Sequence, residues 1–97
     1  MKDLKYQLNV MEDTINEYRE MAEALRTISI STGAMKQELA EAWVSDAGRK
    51  FVDSLDTSWI PAVNHYADVL DHMGELLKKS IDKYEHISDK ADAVFIQ

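Results

Sequence analysis

Ninety-seven residues with no cysteine, one proline and three glycines leave room for one small domain, without disulfides, thiolate zinc sites or a cysteine nucleophile. Eleven basic against eighteen acidic residues give a net charge of −7, which excludes nucleic acid as an expected partner, because phosphate backbones reward clustered Lys and Arg. No apolar run approaches the ~20 residues of a membrane span, and the opening MKDLKYQLNV lacks a signal-peptide pattern, so no stable membrane insertion is expected at neutral pH.

The first predicted element is a helix over about residues 3–42. Its apolar positions Leu4, Leu8, Met11, Ile15, Tyr18, Ala22, Leu25 and Ile28, then Met35, Leu39 and Ala42, fall three and four apart. That spacing is the seam of a helix packed nearly parallel to a neighbour. Its weak stretch is Ser29-Ile30-Ser31-Thr32-Gly33, where β-branched and hydroxylated residues precede a glycine, and a kink is expected there. A turn over residues 43–46 follows, with Ser45 or Asp46 placed to cap the next helix.

The second helix is predicted over about residues 47–93. Its stripe runs Phe51, Leu55, Trp59, Val63, Tyr66, Leu70, Met73, Leu77, Ile81, Tyr84, Ile87, Ala91 and Phe95, widened on one flank by Val69, Leu76 and Val94. Pro61 lies inside it and cannot donate a backbone hydrogen bond, so a kink is expected near Thr57–Ile60. The fold predicted is all-α: a single antiparallel two-helix hairpin with Trp43 at the bend.

Arms of ~40 residues would be ~60 Å long at 1.5 Å per residue. Two such helices bury one side of each against the other and leave apolar area outside. A patch of that length exceeds the few hundred Å² usual on a soluble monomer, so pairing into a four-helix bundle is expected. The residues assigned to its seam are Leu8, Met11, Ile15, Tyr18 and Leu25 on the first arm, with Trp59, Tyr66, Leu70, Met73 and Leu77 on the second.

At the bend the residues become specific. Trp43, Ser45, Ala47, Gly48 and Phe51, with Trp59 two turns on, resemble the Trp-x-Gly (WXG) family of roughly hundred-residue type VII secretion proteins, the early-secreted-antigen-like group of actinobacteria and Gram-positive bacteria. The resemblance spans the whole chain. It departs at two points: Ser45 stands in the glycine slot, and the family's C-terminal export signal, Tyr followed four residues on by an acid, here has Ser88 after Tyr84 and the acid at Asp89. The resemblance implies a chain made in the cytoplasm and then secreted. It also implies pairing with itself, with a homologous WXG-like protein or with the helical N-terminal domain of a larger exported toxin, and recognition by a secretion ATPase. Tyr84 and Asp89 are then the candidate export signal, and a chain with this altered signal is suited to travel as the silent half of a heterodimer.

Individual residues carry a structural and a functional reading. Trp43 is expected to close the bend end by burying up to ~200 Å² between the helices, or to offer a surface to the export machinery. Ser45 reads as a helix cap, since no base stands near it to make a nucleophile. His65, His72 and His86 share a seven-residue register beside the seam, spaced wrongly for a metal; they read as a solvated flank, with sensing of pH near 6 as the functional alternative. The acids sit on regular helix surfaces with no cleft to shift them, so no catalytic residue, metal or cofactor is expected. The leading expectation is a secreted or targeting protein acting by helical pairing. The alternatives are a toxin companion and a pH-triggered membrane-active effector.

Overall fold

The computed structural model describes the backbone of residues 2–96 and the side-chain surroundings of residues 4–87. Helix α1 runs Lys2–Ala42. It passes through Gly33 without interruption, where an added Cβ would meet nothing within 4 Å. The chain then leaves helical geometry for Trp43, Val44 and Ser45 only. Ser45 is extended, with φ −161° and ψ 168°, and its Oγ accepts the Gly48 N–H at 3.0 Å. That bond satisfies one of the free donors at the start of helix α2, Asp46–Ser54, while Asp46 sits at the positive end of its dipole.

Where a kink at Pro61 is expected, the chain forms a five-residue π-turn, Leu55–Trp59, before helix α3, Ile60–Ile96. The turn is closed by the Ile60 N–H on the Leu55 carbonyl. A regular helix would bring the Pro61 ring against the Thr57 carbonyl, and the wider turn relieves that clash. Side-chain hydroxyls bond backbone carbonyls around it, Ser54 to Phe51 and Thr57 to Asp53.

The arms are antiparallel. Arg26 reaches Asp68 and Asp71, Lys36 reaches Asp56, and Gly74 lies opposite Ile15, so rising numbers on α1 meet falling ones on the second arm. The result is a rod 77 Å long and 17 by 15 Å across. Among the described residues, the buried apolar side chains are Ala22, Ala67 and Ile81, with Ser29 the buried polar one. No large side chain among the described residues is fully buried. The axes approach closely because small residues line the contact; a Cβ on Gly74 would stand 3.9 Å from Ile15 Cγ2.

This close approach divides each predicted stripe in two. On α1, Leu8, Met11, Ile15, Tyr18, Ala22 and Leu25 face the second arm, but Ile28 and Met35 are exposed, and Ser29 and Lys36 take the inward places. On the second arm Leu55, Val63, Leu70, Leu77 and Ile81 turn inward, whereas Phe51, Trp59, Tyr66, Met73, Tyr84 and Ile87 are exposed. Ala91 and Phe95 lie outside the described side chains.

Candidate functional site

Two long grooves run between the arms, one on each broad face of the rod. The first holds Glu12, Asn16 and Arg19 of α1 with Asp71, Glu75, Lys78 and Asp82 of α3. Arg26 belongs to this face, donating to Asp71 at 2.6 Å and to Asp68 at 2.9 Å. The bonds to Asp71 and then Asp68 raise the Arg26 guanidinium above its ordinary value. Mixed signs at close spacing make this a solvated face, held in register by its ion pairs.

The opposite groove is lined by Tyr6, Gln7, Val10 and Met11 of α1 with Ser80 and Tyr84 of α3, and continues past Tyr18, Met73, Leu76 and Leu77. In a closely packed helix pair a seven-residue step returns to the same side. Stepping from Gln7 along α1 leads through Thr14 to Met21, Ile28 and Met35; stepping back from Ser80 along α3 leads to Met73, Tyr66 and Trp59. Each of these six large side chains is exposed, Tyr66 at 64% and Met73 at 40%, and Val69 and Leu76 fill the next row out. From Tyr6 to Met35, about 44 Å at 1.5 Å per residue, one side is therefore mostly apolar, interrupted by Gln7, Thr14 and Ser80, while the other bears charges of both signs.

This geometry distributes the ten residues assigned from sequence to a pairing seam. Leu8, Met11, Ile15, Tyr18, Leu25, Leu70 and Leu77 lie half-buried between the hairpin's own arms. Trp59, Tyr66 and Met73 face outward on the apolar side. Met21 and Val10 also lie on that side, although neither stands in the stripe predicted for the first helix. The signal available was the seven-residue repeat Met21, Ile28, Met35, which stands one position before the inward Ala22, Ser29, Lys36.

At the bend, Trp43 is not buried between the helices. Its ring lies over Gly48 and against Phe51, with ring centroids 5.8 Å apart, and remains 44% exposed. Gly48 is indispensable to that arrangement: a Cβ there would stand 2.2 Å from the Trp43 carbonyl oxygen and 2.9 Å from Cγ of its ring. Ser45 can fill a glycine slot because none of the described residues needs a positive φ. Ala47 and Val44 are exposed beside the Trp43–Phe51 pair, and Arg49 pairs with Asp46 on the same turn. At the other end Tyr84 borders the apolar groove with Tyr6. Asp89, its expected signal partner, lies outside the described side chains.

His65, His72 and His86 are exposed, and their register places them on the outer edge of α3, away from both grooves. His72 lies 3.9 Å from Glu75. The His65 ring lies 6.5 Å from that of Tyr66 on the apolar side. Among the described residues no group of three or more His, Cys, Asp or Glu could hold a metal, and no helix is long and apolar enough to cross a membrane.

No curated protein and no solved structure matches the chain. The family described as "WXG100: Proteins of 100 residues with WXG" matches residues 3–88, from the start of α1 to beyond Tyr84. With most of its length covered, this helical hairpin belongs to the WXG100 family, small helical proteins associated with type VII secretion.

Proposed function

We propose that the chain is a pairing subunit of a type VII secretion system, exported as part of a four-helix bundle formed with a homologous hairpin. The observation that carries this is the one-sided apolar surface built from Met21, Ile28 and Met35 with Trp59, Tyr66 and Met73. The side of the rod that carries them, 77 Å by about 17 Å, has room for the ~800 Å² per partner that a stable interface buries, and these six side chains occupy about 21 Å of its length. Covering it completes the core that the hairpin alone leaves thin. The partner is a second copy or a homologous WXG protein. Family membership supports the export role, and Tyr84 at the open end is its proposed recognition residue together with Asp89.

A second reading makes the chain a companion to the helical N-terminal domain of a larger exported toxin. It is favoured by Ser88, which stands where the family's export signal has an acid, so that the partner would supply the signal. Light-scattering mass of the purified protein separates the readings. A dimer of the chain alone is expected for self-pairing; a defined one-to-one complex formed only on mixing with a neighbouring-gene hairpin or toxin domain supports the companion. A monomer that stays monomeric with every such partner overturns both.

A further inference from the structure

The second arm carries two apolar rows, one residue apart. Before the π-turn the inward positions are Gly48, against Trp43, then Val52 and Leu55, at ordinary helical spacing. After it they are Ile60, Val63, Ala67, Leu70, Gly74 and Leu77, again three and four apart. Between Leu55 and Ile60 the step is five, the same five spanned by the hydrogen bond from the Ile60 N–H to the Leu55 carbonyl. A regular α-helix would instead continue the first series through Trp59, Ala62, Tyr66, Val69, Met73 and Leu76. That is the row the structure turns outward.

The rows differ in size. The inward one includes Ala67 and Gly74, which let α3 approach Ala22 and Ile15. The outward one holds Trp59, Tyr66 and Met73, too large for that approach. Hydrophobicity alone would accept either row against α1. The extra residue in the π-turn chooses between them, and Pro61 penalises the regular helix that would choose otherwise, since it lacks the N–H for the Thr57 carbonyl and crowds it.

We propose that the π-turn Leu55–Trp59, held open by Pro61, is the register element of the pairing surface. It takes up one residue so that the small row closes the hairpin and the large row is presented to the partner. The inference rests on the reading that this face pairs, and deepens it by naming Pro61 as a positioning residue for Trp59, Tyr66 and Met73.

The test compares pairing constants, from sedimentation of the full chain, for the native protein, Pro61→Ala, and Pro61→Ala with Thr57 deleted. If Pro61→Ala leaves the presenting register at about a tenth of the population, pairing weakens about tenfold in proportion. Deleting Thr57 in that background removes the spare residue, so a regular helix now presents the large row, and native pairing returns. A proline that mattered only by packing would show no such rescue. Pro61→Ala pairing as tightly as the native chain overturns the proposal, and so does a double variant weaker than Pro61→Ala. A native chain that neither self-associates nor takes a homologous partner is a different failure: it removes the pairing reading itself, before any variant is made. Where the native partner is a homologue, the same three chains are titrated with it.

Discussion

The two broad faces of the hairpin are built from the same helices and lie on opposite sides of the rod, and their chemistry is opposite too. On one, Arg19, Arg26 and Lys78 alternate with Glu12, Asp71 and Asp82. On the other, Met21, Ile28 and Met35 run beside Trp59, Tyr66 and Met73. Water satisfies the first without help. The second keeps large apolar groups in water unless another surface covers them, and burying one such side chain stabilises by about 1.5–3 kcal/mol. The contrast is what the proposed pairing role rests on: of the two sides, the apolar one is unfinished.

The contrast breaks most completely if charge is placed on the apolar side. Tyr66→Asp combined with Met73→Asp is expected to abolish pairing, weakening it more than 100-fold if the two carboxylates together cost over ~2.7 kcal/mol, while circular dichroism still reports helix. Retained pairing would place the interface elsewhere. A smaller effect is expected at the bend, where Gly48→Ala drives a methyl into the Trp43 carbonyl. Overpacking of this kind costs about 1–3 kcal/mol, read as a lower denaturant midpoint, and an unchanged midpoint would refute the close contact. The smallest belongs to the charged side. Arg26→Gln removes two exposed ion pairs and is expected to cost less than about 1 kcal/mol, a difference that shrinks further in high salt and leaves pairing unaltered.

Much of this architecture was legible before any coordinates. The three-and-four spacing announces two long helices, and a break confined to residues 43–46 between stripes too wide for one neighbour to cover announces a hairpin with apolar area left outside. The choice between adjacent rows was not legible, because Ile28 and Ser29, or Met35 and Lys36, are one step apart and hydropathy prefers the first of each pair. The structure prefers the second of each, since neighbouring helices this close tolerate Ala22 and Ser29 where Met21 and Ile28 would hold them apart. Pro61 signalled a distortion but not its kind. The five-residue step from Leu55 to Ile60 was hidden by Trp59, which satisfies a four-residue step equally well. At the bend, the exposure of Trp43 depends on how its ring lies over Gly48, a matter of backbone path rather than residue type.

The sparse interior has a thermodynamic corollary. With Ala22, Ser29, Ala67 and Ile81 the only side chains sealed from solvent among the described residues, folding of a lone chain has little driving force to offset the ordering of so long a backbone. Its melting temperature should then climb with protein concentration, as mass action couples the folded state to assembly.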